Sequence, residues 1–181
     1  MKKILFYIER YFPIIGGAEV SAHRLAKALK NKGYEIKVIT RMWDPTLPRF
    51  DEKDGIPIER IPCFFTKNEK VRQLEFFVKS WLLFKYFKEY DVLHIHGVGL
   101  FSGLLAKAFK PQVSIIKTTT ADDVKNVANY PLVGRFFLKT LRHINHFVCM
   151  SKELKKEVKE YLPEADVVMI PNGVDCQEFK R

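Results

Sequence analysis

The sequence contains few cysteines, and their placement excludes two kinds of stabilising site. Three occur among 181 residues, at widely separated positions: Cys63, Cys149 and Cys176. There is no CxxC pair and no Cys/His spacing of the kind that binds zinc. We therefore expect neither a disulfide framework nor a structural zinc site.

A GxGxxG fingerprint and a secretory signal peptide are also missing. Without that fingerprint, a nicotinamide-dependent enzyme is a weak hypothesis. The N-terminal run MKKILFYIERYFP begins with two lysines, but Glu9 and Arg10 interrupt its apolar part before it reaches signal-peptide length. We interpret residues 1–9 as a first β-strand and expect a cytoplasmic protein.

The composition is that of an ordinary globular protein with one substantial domain, since 47% of the residues are hydrophobic and 29% are charged. A net charge of +10 fits several partners, among them nucleic acid, an anionic membrane surface and phosphorylated ligands, or simply a solvated surface. Basic residues are mixed with acidic ones, and no nucleic-acid-reading motif is present. We therefore expect no nucleic acid partner, whereas a membrane surface, a phosphorylated ligand and a merely solvated surface all stay open.

Apolar strand-like runs alternate with helix-length segments along the whole chain, without internal repeats. This alternation predicts a three-layer, Rossmann-like α/β domain, in which a mostly parallel sheet has helices on both faces. Ligands of such sheets bind at the carboxyl ends of the strands, where the strand order reverses. The predicted strands span residues 3–9, 34–40, 56–62, 91–97, 113–120, 147–151 and 166–171. The predicted helices span residues 18–32, 71–90, 100–109, 132–145 and 152–161, with Ser151 as an N-cap.

Gly16 and Gly17 separate the first strand from the first helix. At that position, unpaired helix amides and a missing side chain suit an anion such as a phosphate. The other interpretation is a turn with a positive backbone angle. Glu19, in the first turn of the same helix, is sufficiently explained by capping.

His94 and His96 point to the same face of one strand, because side chains alternate along a strand. His96 lies at the carboxyl end and is expected to face the crevice, whereas His94 is expected to lie deeper as a hydrogen-bonded core residue. The pair could begin a metal site, but no third ligand has a convincing position, so we expect no metal. Thr118–Thr120 end the next strand, Asp122 and Asp123 follow it, and these side chains could bind a polyol ligand or cap a helix.

The predicted helix over residues 71–90 is rich in aromatic side chains on one side and in lysines on the other. We favour a core position for its apolar face. An alternative is that part of this helix lies against an anionic membrane.

Several segments are distinctive when they are taken together in their order along the chain. They are FPIIGGAEVSAHRLAKALKNKGYEIKVIT near the start, DVLHIH in the middle, and FVCMSKELKKEV followed by VVMIPNGVD at the end. As an ordered set they resemble the N-terminal domain of the family 4 retaining glycosyltransferases, which have the GT-B fold. The resemblance spans nearly the whole chain.

The resemblance implies that Gly16 and Gly17 lie in a cleft beside a nucleotide-sugar donor or its acceptor, a glycan or a lipid-linked molecule. The donor is a substrate, and no cofactor is implied. The candidate binding residues are Gly16, Gly17, His96, Thr120 and Asp122, and no catalytic residue is identified.

The resemblance also divides the chain into an acceptor-side domain (residues 1–172) and the start of an interdomain linker (residues 173–181), with the C-terminal donor domain absent. Family members usually have a histidine that reaches the transferred sugar where Thr120 stands, and threonine does not titrate near neutral pH. We therefore expect half of a sugar-nucleotide-dependent retaining glycosyltransferase, inactive alone. The alternative is a non-catalytic Rossmann-like binding or interaction module.

Overall fold

The fold is built on one twisted sheet. A computed structural model describes residues 2–64, 67–83, 88–109, 111–118, 123–130 and 132–173. Within these residues the strands are β1 (Lys3–Ile8), β2 (Glu35–Met42), β3 (Phe50–Lys53), β4 (Ile56–Pro62), β5 (Val92–His96), β6 (Val113–Lys117), β7 (His146–Cys149) and β8 (Val167–Met169). They form a single sheet in the order β3-β4-β2-β1-β5-β6-β7-β8, in which β3 pairs antiparallel with β4 and the other neighbours are parallel.

Helices connect the parallel strands except β2 and β4, which are joined through β3. In the same described ranges they are α1 (Gly17–Asn31), α2 (Glu69–Leu83), α3 (Ser102–Phe109), α4 (Asp123–Ala128), α5 (Gly134–Thr140) and α6 (Lys152–Tyr161), with a 3-10 turn at Leu141–His143. None of the helices so described is long and apolar enough to cross a membrane.

Both faces of the sheet are covered, as alternate side chains of β1 demonstrate. Leu5 and Tyr7 enter a core that α2, α3, α4 and α6 close, whereas Ile4, Phe6 and Ile8 enter a second core that α1 closes. Two buried faces explain why the central strands read as nearly continuous apolar runs. The prediction of a three-layer, Rossmann-like α/β domain is confirmed.

The last helix matches the sequence-based prediction residue for residue. It runs from Lys152 to Tyr161, and the Oγ of Ser151 accepts a hydrogen bond from the backbone amide of Leu154 at 3.3 Å. The first helix ends at Asn31, one residue before its predicted end, and Gly33 follows it with a φ of +88°.

Other boundaries differ for identifiable reasons. The pattern does not predict β3, an edge strand whose sequence FDEK is largely exposed and carries no apolar alternation. It does not predict the short helix α4 either. The predicted helix over residues 132–145 is shorter, since Leu132 has a φ of +65° and α5 begins only at Gly134.

The order of the strands fixes where a ligand can bind. From β1 the chain moves to β2 on one side of the sheet, and it later returns to place β5 on the other side of β1. In open α/β sheets the crevice lies at such a reversal, outside the carboxyl ends of the strands. The loops that follow β1 and β5 therefore form its walls.

Candidate functional site

Two adjoining cavities occupy the crevice, and His96 lines both. The larger has a volume of about 570 Å³ and lies between the carboxyl ends of β1 and β5 and the helices α2, α3 and α4. Its walls combine aromatic and charged side chains, including Tyr7, Glu9, Arg10, Glu19, Trp43, Phe76, Phe77, Phe101 and Tyr130. A volume of this size is typical of pockets for whole organic ligands.

The smaller cavity, of about 200 Å³, lies at the N-terminus of α1. Its lining consists of Gly17, Ala18, Ser21, His96, Lys117, Met150 and Asn172. The first amides of a helix have no carbonyl partner within the helix, and the helix dipole favours negative charge there. This cavity therefore has the local electrostatics of an anion site.

The glycine doublet leaves this end of α1 open. Gly16 is the N-cap residue, with extended backbone angles (φ −150°, ψ 175°), and Gly17 is the first helical residue. Neither has a positive φ, so a turn that only glycine can make is not the reason for the doublet. A Cβ added at Gly17 would meet no atom within 4 Å, whereas one at Gly16 would overlap the carboxylate of Glu19. The space at Gly17 is thus available to a ligand.

His94 and His96 are buried to the same extent, each with 6% of its surface exposed. His94 nonetheless lies farther from the crevice, as expected, since His96 lines both cavities and His94 lines neither. Both rings stack on Phe6, with centroids 4.8 and 5.5 Å away, and they contact each other in a tilted arrangement with centroids 4.6 Å apart. Since β1 pairs directly with β5, Phe6 stands opposite His94 and covers both imidazoles.

The two imidazoles differ in what surrounds their nitrogens. Among the described residues, both ring nitrogens of His96 and the Nδ1 of His94 lack a hydrogen-bond partner. Burial, reinforced by the nearby Lys117, lowers the pKa of His94 to about 4. Burial, with His94 and Lys117 as lesser causes, also lowers the pKa of His96 well below its usual value. His96 is thus a neutral ring whose hydrogen-bonding capacity remains for a ligand.

Lys117 is a site residue that the sequence does not single out. It ends β6, is 7% exposed, and its Nζ donates to the Oγ of Ser21 at 2.7 Å and to the Oδ1 of Asn172 at 2.6 Å. Burial lowers its pKa, but the two oxygen partners favour the ammonium form. An ammonium group has three donors, so one remains for a ligand in the smaller cavity.

At the rim of the larger cavity, Trp43 contacts residues that follow β1 and an arginine of β2. The indole of Trp43 donates to the backbone oxygen of Glu9 at 2.9 Å, and the guanidinium of Arg41 lies 3.5 Å from the centre of the same indole. Arg10 approaches that ring from 4.7 Å. Glu19, which is 8% exposed, lines this cavity as well, so helix capping alone does not account for its position.

A relay of hydrogen bonds, from the buried Tyr11 and His23 to the exposed Asp54, fixes the loop between β1 and α1. The hydroxyl of Tyr11 lies 2.7 Å from the Nδ1 of His23, and the Nε2 of His23 lies 2.6 Å from the carboxylate of Asp54. The hydrogen bond from His23 is the main reason why the pKa of Asp54 is lowered. Through this relay the loop that carries the glycine doublet is tied to the turn between β3 and β4.

Two of the candidate binding residues, Thr120 and Asp122, lie outside the described residues and stay predictions. Thr118 is described and buried, with its hydroxyl 3.4 Å from the backbone oxygen of Val148. Within the ranges described, no three His, Cys, Asp or Glu side chains come together as a metal site would require.

Two curated relatives match almost the whole chain. The alpha-monoglucosyldiacylglycerol synthase of Streptococcus pneumoniae is 22% identical over 188 residues, which cover 99% of this chain and 42% of the relative. A human protein, one of the subunits of phosphatidylinositol N-acetylglucosaminyltransferase, is 23% identical over 179 residues, covering 93% of this chain and 36% of the relative. The chain thus spans less than half the length of these relatives.

Solved structures agree on the fold. Sucrose-phosphate synthase from Thermosynechococcus elongatus superposes with a TM-score of 0.76 at 16% identity, over 98% of this chain and 49% of that one. Anabaena HepE, solved in complex with UDP and glucose, superposes with a TM-score of 0.68 at 16% identity, over 100% of this chain and 47% of that one. The family model for Glycosyltransferase Family 4 matches residues 15–178, nearly the full length. The chain therefore belongs to glycosyltransferase family 4.

Proposed function

We propose that this domain forms the acceptor-binding half of a sugar-nucleotide-dependent glycosyltransferase that retains anomeric configuration, and that the smaller cavity receives the donor's phosphate. The observation that carries the proposal is the meeting of Lys117, the N-terminus of α1 and the open Gly17 at one cavity. A cation, unpaired amides and an absent side chain together favour a close-lying phosphate. The match to UDP-bound HepE supports a nucleotide donor.

In the proposed reaction the bond between the anomeric carbon and the donor phosphate breaks while the acceptor oxygen bonds to the same face of that carbon. The proton of the acceptor hydroxyl leaves with the phosphate. Lys117 and the α1 amides would stabilise the negative charge that develops on the departing phosphate. His96, being neutral and lining both cavities, would hydrogen-bond a hydroxyl of the sugar or the acceptor where the two cavities meet.

Transfer by this route requires groups beyond the described crevice. Since the matched relatives are more than twice as long as the part this chain covers, we assign most of the nucleotide contacts to a second domain. We accordingly expect the 181-residue chain to bind phosphate weakly and to transfer no sugar alone. The alternative of a non-catalytic binding module has no observation in its favour.

The test compares two charge-removing substitutions, Lys117→Met and Lys107→Met. Both remove one positive charge, but Lys107 is exposed on α3 and lines neither cavity. Binding of inorganic pyrophosphate to the 181-residue chain would be followed by NMR titration, which detects millimolar affinities. A charge-assisted hydrogen bond contributes about 1.5–3 kcal/mol, so Lys117→Met should weaken binding by roughly tenfold or more. Lys107→Met should leave it unchanged.

Equal affinity for pyrophosphate in the parent chain and in Lys117→Met would refute the assignment of the smaller cavity to the phosphate. Methionine keeps the length and apolar stem of the lysine, and Ser21 still donates to Asn172 at 2.9 Å without it. The variant should therefore fold, and its melting temperature serves as the control.

A further inference from the structure

The larger cavity has one wall that is almost entirely apolar. This wall is formed by α2, α3 and the loop before α3, and its apolar side chains are Phe76, Phe77, Val98, Leu100, Phe101 and Leu105. The polar side chains on the same wall are Gln73 and Ser102, and the Oγ of Ser102 already accepts from the backbone amide of Gly99 at 2.9 Å. The charged groups Glu9, Arg10 and Glu19 come from the opposite side, after β1 and at the start of α1, and α4 adds Asp123 and Asn126 to the lining.

A row of aromatic rings leads from this wall to the surface. Phe77 stacks on Phe101 with ring centres 4.5 Å apart and meets Trp81 edge-on at 5.6 Å. Phe101 in turn meets Phe137 at 5.2 Å, and Phe137 meets Phe136 at 5.2 Å. We call these five rings the aromatic row. Its outer members are exposed, Trp81 by 46% and Phe136 by 59%.

Further apolar side chains are exposed around both ends of the aromatic row. Leu74, Val78 and Leu82 lie on α2 with exposures of 46, 45 and 64%, and Leu132 precedes α5 fully exposed. The expectation that the apolar face of α2 is core holds for Phe76, and Phe77 and Leu83 pack against the same core, but it does not hold for the exposed Trp81. Phe84 and Phe87, which belong to the same predicted face, lie outside the described residues. Exposed apolar surface that continues into a cavity is typical of a ligand-binding groove.

The chemistry of this surface distinguishes between two kinds of acceptor. A C–H face of a sugar ring can stack on one phenyl group, but the hydroxyls around the edge of the ring would lose their water against Phe76, Phe77 and Leu105 without gaining partners. An acyl or prenyl chain has no such groups, and each methylene that leaves water strengthens binding by about fourfold. The polar side of the cavity, with His96 at its junction to the smaller cavity, suits a hydroxyl-bearing head.

From this division we infer that the acceptor is an amphiphile, whose hydroxyl-bearing head lies beside His96 and whose apolar tail follows the aromatic row to the surface. This inference rests on the proposed function, since it names the class of molecule that receives the sugar. The tail of the acceptor is then the molecule that covers the exposed apolar surface of α2. The two outer rings, Trp81 and Phe136, contact that tail where it leaves the cavity.

The test measures how binding depends on tail length. Glucose, hexyl β-D-glucoside and octyl β-D-glucoside would be titrated into the 181-residue chain by NMR, below the concentrations at which the glucosides form micelles. We expect no measurable binding of glucose and an affinity that rises several-fold from the hexyl to the octyl compound. Maltose serves as the glycan probe and should bind no better than glucose.

The variants locate the tail. Trp81→Gln and Phe136→Gln should reduce the gain from hexyl to octyl by at least half, and both exposed positions should tolerate glutamine. Phe50→Gln is the matched control, because Phe50 is 63% exposed on β3, far along the sheet from the cavity. It should leave the gain unchanged.

The inference is overturned if maltose binds as tightly as octyl glucoside, or if the gain from hexyl to octyl survives both Trp81→Gln and Phe136→Gln. Its failure is distinguishable from failure of the proposed function. Lys117→Met should weaken pyrophosphate binding without altering the dependence on tail length, so each measurement can fail while the other stands.

Discussion

The same substitution, glycine to valine, can be made in the first turn of two helices with opposite consequences. Gly17 is the first residue of α1 and faces the smaller cavity, whereas Gly103 is the second residue of α3 and packs against Thr140 at the end of α5. We expect Gly17→Val to weaken ligand binding at least tenfold without loss of stability. Gly103→Val should do the reverse.

The expected stabilities follow from the space at each position. At Gly17 an added Cβ meets nothing within 4 Å, so the free energy of unfolding should change by no more than about 0.5 kcal/mol. At Gly103 the Cβ would overlap the backbone carbonyl and the side chain of Thr140, and α3 would have to move away from α5. Overpacking of this kind costs about 1–3 kcal/mol. At roughly 2–4 °C per kcal/mol, the melting temperature of Gly103→Val should fall by several degrees.

The expected affinities follow from the lining of the smaller cavity. A valine side chain at position 17 would project into a volume of about 200 Å³ that also holds the ammonium of Lys117. Binding of pyrophosphate should fall at least tenfold in Gly17→Val and stay at the parent value in Gly103→Val below its melting temperature. Thermal unfolding and NMR titration on the two variants give both readouts. Two results would refute the reasoning: equal loss of stability in both variants, or unchanged pyrophosphate affinity in Gly17→Val.

Two further predictions concern stability alone. Because burial lowers the pKa of His94 to about 4, the unfolded chain takes up a proton between pH 6.5 and 4 that the folded chain does not, and the free energy of unfolding should fall by up to about 3 kcal/mol as the pH falls through that window. In urea unfolding at pH 7, 5.5 and 4.5, His94→Gln should flatten this dependence, and an unchanged slope would contradict the assignment. Ser151→Ala removes the N-cap of α6 and should lower the free energy of unfolding by about 1 kcal/mol, with Ser151→Asp restoring it; no change in melting temperature would show that the cap contributes nothing.

The sequence predicts the fold well where an apolar pattern repeats and poorly where it does not. The strands β1, β2 and β5 are recognisable because both of their faces are buried, so that each contains a cluster of β-branched, leucine or aromatic residues, most clearly Leu5–Ile8 in β1. The strand β3 is not recognisable, because it lies at the edge, pairs with β4 alone and exposes charged side chains. Edge strands of this kind carry charges that prevent aggregation, and these charges remove the pattern that would reveal them.

The candidate site divides in the same way. Gly17 and His96 can be predicted, because the carboxyl ends of strands locate the crevice of a parallel sheet. Lys117 cannot be predicted as a site residue, because nothing in the sequence distinguishes a single lysine at the end of a strand from a surface lysine. Its burial depends on Ser21 and Asn172, which are 96 and 55 residues away along the chain. The aromatic row is missed for a similar reason, since α2 alone does not reveal that Phe77 stacks on Phe101.

The charge states of His94, His96 and Lys117 follow from their burial and from their proximity to one another. A lysine near two histidines would repel them if all three were protonated, and a desolvated site makes such repulsion costly. Burial and the charge of Lys117 act together to keep His94 and His96 neutral, so near pH 7 the positive charge of this trio resides on Lys117 alone. One ammonium group beside a helix N-terminus attracts an anion, while a neutral imidazole next to it can donate to or accept from a hydroxyl without competing for that anion. In the proposed function, Lys117 thus holds the charged leaving group, while His96 orients the uncharged acceptor.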